Sequence, residues 1–123
     1  MKLSNLVENS GKLMGVKSYS FSELPNEIAA IDLSFERCGC FIRVVEDTDE
    51  IAVSSTPDLV GLVESRMDVA ISGYKGLELL WAWGLMNNQG YSDGLRLQFK
   101  NKDVAVEFVV EASSIKQYLV SKV

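Results

Sequence analysis

The clearest pattern in the chain is alternation. Leu95, Leu97 and Phe99 alternate with Arg96, Gln98 and Lys100, and Val104, Val106, Phe108 and Val110 follow after Asn101-Lys102-Asp103. Two runs of period two around a polar turn predict an antiparallel hairpin. Ile31, Leu33 and Phe35 share a face between Ile28 and Phe35, and Cys40 to Val45 returns after Glu36-Arg37-Cys38-Gly39, predicting a second hairpin. Upstream, Val16 to Phe21 reads as a strand with Val16, Tyr19 and Phe21 toward the core, although Val16 and Tyr19 differ in parity. A short strand, Ile51 to Val53, follows the acidic turn Glu46-Asp47-Thr48-Asp49-Glu50.

Leu77, Leu79, Trp81, Trp83 and Leu85 occupy every odd position of a further run, and its even positions are half apolar. This predicts a central strand covered on both faces, with both tryptophans in the core. The alternative is that the end of this strand and the loop Asn88–Asp93 form a lip or partner surface. Two helices are predicted. Thr56-Pro57-Asp58 supplies an N-cap hydroxyl, a first-turn proline and an acid, ahead of Leu59, Leu62 and Val63 at helical spacing over 57–65. Ser113 or Ser114 can cap a last helix bearing Ile115, Tyr118 and Leu119.

Residues 31–51 align with 95–115 at an offset of 64 without a gap. Leu33 matches Leu97, Phe35 matches Phe99, Val45 matches Val109 and Ile51 matches Ile115. The fold expected is one α+β domain over 1–123, mostly antiparallel sheet built from two similar hairpin units, with one or two short helices.

Composition narrows the function classes. The chain has 123 residues, enough for one domain, and no histidine, which removes His-ligated metal and imidazole-based catalysis. The net charge of −5 disfavours nucleic acid as a partner. No apolar run reaches the roughly 18 residues of a membrane span, and no secretory leader opens the chain, so a cytoplasmic setting is expected. Residues 1–64 carry a net −6 and residues 65–123 a net +1, so an acidic surface could steer a basic partner. Cys38 and Cys40 are too few to hold zinc and are read as hairpin-turn residues. With neither a Gly-x-Gly-x-x-Gly cradle nor a Walker lysine, no cofactor and no metal are expected.

Two segments, Asp47-Thr48-Asp49-Glu50-Ile51 after an alternating strand and Trp81-x-Trp83 ahead of Asn88-x-Gly90-Tyr91-x-Asp93-Gly94-Leu95, carry a resemblance. They resemble a family of small uncharacterised bacterial proteins in which a similar DTDEI precedes a similar W-x-W-x-x-x-N-x-x-G-Y-x-D-G, over residues 16–112. The resemblance transfers no activity; it implies a small cytosolic bacterial domain, similar to stand-alone immunity or accessory factors. The function expected is thus a non-catalytic protein-binding module, toxin-neutralising in its sharper form. The alternative is a small-ligand binder or minor enzyme. Candidate binding residues are Asp47, Asp49, Glu50, Asn88, Tyr91 and Asp93.

Overall fold

The computed structural model describes residues 1–121. A short helix, α1 (Leu3–Asn9), is followed by nine strands: β1 (Leu13–Phe21), β2 (Ala30–Phe35), β3 (Gly39–Val45), β4 (Glu50–Ser54), β5 (Leu62–Glu64), β6 (Leu79–Met86), β7 (Ser92–Phe99), β8 (Val104–Glu111) and β9 (Ser114–Ser121). One 3-10 turn, Ala70–Tyr74, precedes β6. The strands form two antiparallel sheets, ordered β4-β3-β2-β1-β5 and β6-β7-β8-β9. The architecture is α+β, dominated by antiparallel sheet with little helix.

Alternation decides which face is buried. Ile31, Leu33, Phe35, Cys40, Ile42 and Val44 from the first sheet meet Leu95, Leu97, Phe99, Val106 and Phe108 from the second in one core. α1 adds Leu6, and the 3-10 turn adds Ile71 and Tyr74. The parity conflict in β1 has a simple answer. Val16 lies opposite Leu33 on the inner face, whereas Tyr19 and Phe21 lie outside, where Tyr19 joins Ala30, Phe41 and Leu62 in a second, small cluster.

The two sheets share one pairing scheme. Leu13, Gly15 and Val16 of β1 face Phe35, Ser34 and Leu33, with one extra residue at Met14. Leu79, Trp81 and Ala82 of β6 face Phe99, Gln98 and Leu97, with one extra residue at Leu80. The halves meet where Lys12 and Glu78 form an antiparallel bridge. On either side of it, Glu36 N donates to Lys12 O (3.0 Å) and Lys100 N to Glu78 O (2.9 Å).

Three predicted elements differ. The helix over 57–65 is absent: Gly61 (φ +76°) turns the chain, and Leu62–Glu64 pairs with Phe21–Tyr19 as β5. Arg43 takes the carbonyls that a helix would need, donating from Nη1 to Asp58 O (2.7 Å) and from Nη2 to Val60 O (2.8 Å). The last helix is instead β9. Ala112 and Ser113 both adopt left-handed φ, 51° and 62°, which is a two-residue hairpin turn and not a helix start. The run 77–85 is not central, since β6 is an edge strand. The one α-helix among the described residues, α1, was not among the two predicted, although Leu3, Leu6 and Val7 stand at i, i+3 and i+4.

Candidate functional site

The extra residue at Leu80 breaks the odd-position face. A bulge reverses the side on which later residues point. Leu79 therefore enters the core, while Trp81 and Trp83, opposite Gln98 and Arg96, stand on the outer face of the second sheet. Trp81 is 54% exposed and Trp83 40%. Their assignment to the core is corrected accordingly: the face they occupy is covered by no other element among the described residues.

On β7 and β8, Arg96 and Glu107 are directly paired across the strands. Arg96 donates from Nε (3.1 Å) and Nη2 (2.8 Å) to Glu107 Oε2, and its guanidinium lies 5.8 Å from the centre of the Trp83 ring. The carboxylate fixes the guanidinium, and the guanidinium in turn supports the indole from one side. The Trp81 and Trp83 rings meet edge to face, 6.4 Å between centroids and 61° between planes. Together they border a groove of about 610 Å³ with Leu80, Gln98 and Val120. Among the described residues Arg96 is the groove's one charged lining residue, and it is already paired. This arrangement offers apolar area, one fixed cation and a few polar edges. Such a surface is suited to recognition.

The residues singled out by sequence fall elsewhere. Asp49 and Glu50 tie the acidic turn to the second sheet. Asp49 Oδ1 accepts from Ser113 N (3.0 Å) and Ser113 Oγ (3.3 Å), and Glu50 Oε2 accepts from Ser92 N (3.3 Å). Asp47 and its neighbour Glu46 are exposed. Glu50 thus comes to the start of β7, next to Asp93, whereas Glu78 pairs with Lys100 (2.7 Å), whose ammonium holds its carboxyl below the usual range. In the loop after β6, Asn88 and Tyr91 are exposed and the half-buried neighbour Asn87 organises the turn. Its Oδ1 accepts from Gln89 N (2.9 Å) and Tyr91 N (3.2 Å), and its Nδ2 reaches Asp93 Oδ2 at 3.5 Å. Sequence reasoning chose Asn88 where the turn uses Asn87. Both cysteines are free. Cys40 faces the core from β3, where burial, reinforced by Cys38 and Asp32, pushes its thiol up to about 12.

A family model described as a family of unknown function (DUF6334) matches residues 4–123. The chain belongs to DUF6334. No curated protein matches it, and no solved structure does. Among the described residues no helix is long and apolar enough to cross a membrane. In this DUF6334 chain Gly94 has a clear packing reason: a Cβ there would lie 2.9 Å from Phe108 O and 3.0 Å from Leu85 Cδ1. The glycine lets β7 pass between β6 and β8 directly beside the tryptophan face.

Proposed function

We propose that this DUF6334 protein is a non-catalytic protein-binding module whose docking surface is the outer face of the β6–β9 sheet. The observation that carries the reading is the pair Trp81 and Trp83, held by Arg96 and Glu107 on a solvent-facing sheet surface. A rigid aromatic pair with a fixed arginine beside it is the composition of an interface anchor, because large area is presented at little cost in side-chain freedom. Leu80 and Tyr118 extend the apolar surface. The exposed acids Glu46 and Asp47 would add long-range attraction for a basic partner. The finer form, a toxin-neutralising protein of the bacterial cytoplasm, rests on small size, acidity and the resemblance drawn from the sequence. It requires surface complementarity alone.

The test uses a partner recovered from the native host and then purified. Trp81→Ala and Trp83→Ala should each weaken binding by at least about 2 kcal/mol, through faster dissociation. Asp47→Asn should slow association at low salt and leave dissociation unchanged. Wild-type affinity in both tryptophan variants would overturn the reading.

The groove volume favours a second reading. At about 610 Å³ it falls within the range of small-molecule sites. A planar ligand released on denaturing purified protein, and lost in Trp83→Ala, would select that reading.

A further inference from the structure

The two sheets match strand for strand except at one edge. In the first sheet the outer edge of β1 is taken by β5, with Tyr19, Ser20 and Phe21 opposite Glu64, Val63 and Leu62. Ser65 N also donates to Ser18 O (2.8 Å). β6 stands where β1 stands: Leu13, Gly15 and Val16 correspond to Leu79, Trp81 and Ala82, each set with its bulge and the same partners on the neighbouring strand. Continuing that correspondence places Gly84 at the position of Ser18 and, past a second register shift between Leu85 and Met86, Met86 at that of Ser20, with Asn87 N donating inward to Tyr91 O (2.9 Å). The backbone N–H and C=O groups of Gly84 and Met86 are then the ones that face outward. Among the described residues no strand pairs with this edge. Gly84 is exposed, and the Met86 side chain is 67% exposed.

An open edge of this kind is normally blunted with lysine, proline or an inward charge. β6 has none of these. Residues 79–92 form the longest stretch of the chain without Asp, Glu, Lys or Arg. α1 does not seal the edge either, since a groove of about 200 Å³ opens between its Leu3, Val7 and Glu8 and the Trp81–Ala82 part of β6.

We propose that two copies of this chain join through β6, edge to edge and antiparallel, about a two-fold axis at Gly84. Charge selects a second copy as the occupant. Each copy carries −5, so two copies approach most easily where acids are few, and β6 itself has none, with Glu8 of α1 the acid that lines the groove beside it. The negative excess lies in residues 1–64, and β6 belongs to the half that carries +1. Centring on Gly84 sets Gly84 against Gly84 of the other copy, Trp83 against Leu85 and Ala82 against Met86, so no charge faces a charge. The pairing is isologous and closes on itself, as a two-fold interface must. It joins two four-stranded sheets into one of eight strands and sets the exposed Met86 next to Ala82 and α1 of the second copy. Trp81 and Trp83 of both copies remain on one outer face, so the dimer stands independently of the partner docking proposed above.

Sedimentation equilibrium across a concentration series, with amide hydrogen exchange on the same samples, tests this. Wild type should show about twice the chain mass of 13.6 kDa. Gly84→Pro, which removes the N–H at the axis, and Met86→Glu, which sets an acid beside Glu8 of the other copy, should each return the mass to 13.6 kDa. The Gly84 and Met86 amides of wild type should become more protected as protein concentration rises. Should Gly84→Pro fail to fold, Met86→Glu carries the test, because its side chain reaches solvent. A wild type that is monomeric at its highest soluble concentration overturns the proposal. So does a dimer that survives Met86→Glu with both amides exchanging at the same rate at every concentration. Loss of partner binding in Trp83→Ala, with the dimer intact, would leave this inference standing.

Discussion

Asp49 makes two of the three hydrogen bonds by which the side chains of Asp49 and Glu50 tie the acidic turn to the second sheet, and Asp49→Ala measures what its share contributes. Its Oδ1 accepts two hydrogen bonds from Ser113, one from the backbone N–H at 3.0 Å and one from the hydroxyl at 3.3 Å. A hydrogen bond to a charged acceptor contributes about 1.5–3 kcal/mol, and the half-buried setting puts this pair near the lower end, at about 2 kcal/mol. Asp49 also sits at φ 52°, a left-handed conformation that aspartate adopts more readily than alanine. That adds up to about 1 kcal/mol. Asp49→Ala should therefore cost about 2–3 kcal/mol, a fall of roughly 10 °C in Tm. Asp49→Asn keeps an acceptor oxygen and the tolerance for this φ, and should cost less than about 1 kcal/mol. Urea unfolding followed by circular dichroism, with the slope m constrained across variants, is the assay. An Asp49→Ala midpoint equal to that of Asp49→Asn would refute the reasoning. It would return Asp49 to the exposed acids available for a partner.

Four further outcomes are expected. Gly94→Ala should destabilise by about 2 kcal/mol or more in the same urea assay, because its Cβ would press on the Phe108 carbonyl and on Leu85. Ser10→Ala should raise the urea midpoint, by about 1 kcal/mol, since the buried Ser10 hydroxyl has no partner among the described residues. Trp81→Ala should cost under about 2 kcal/mol of stability, well short of the 3–5 kcal/mol typical of a core tryptophan, a difference that calorimetry resolves. The Cys40 thiol is pushed up to about 12 in the fold from an ordinary 9.0. The folded state therefore holds its proton more tightly than the unfolded one. The stability this gives is present below pH 9 and is lost as pH rises toward 12, and Tm measured across that range should fall less steeply in Cys40→Ala.

The strands that were legible are those with one face in the core and one in water. Leu95-Arg96-Leu97-Gln98-Phe99 is the plainest case, and its period of two survives intact in β7. Of the edge elements, Ile51 to Val53 was legible as β4, but β5 and β9 were not. Ile115, Tyr118 and Leu119 of β9 fit a helical spacing as well as a strand, and it is the turn at Ala112 and Ser113 that decides for strand. Leu59, Leu62 and Val63 misled in the same way, because the Arg43 guanidinium that claims the carbonyls of Asp58 and Val60 comes from a distant strand. The tryptophan site was half legible. The spacing of Trp81 and Trp83 put both on one face, but the bulge at Leu80 that selects the outer face leaves no mark in an unbroken apolar run. Asp49 and Glu50 stood out in the sequence as candidate binding residues, and the structure gives both of them partners within the chain. Their partners, Ser113 and Ser92, lie too far along the chain to be inferred from spacing.

Within each four-strand run, consecutive strands are neighbours, and this has a consequence for the chain as it is made. The first sheet is complete once Glu64 has been synthesised, since β5 closes its edge. Its inner face of Ile31, Leu33, Phe35 and Ile42 then has little beyond Leu6 of α1, and later Ile71 and Tyr74, to rest on until β7 and β8 are complete, nearly fifty residues later. At a synthesis rate of about 5–20 residues per second, that interval lasts roughly 2–9 seconds. During it a finished sheet stands on the ribosome with its greasy side largely bare. The period of greatest hazard for this protein is the wait for its second half.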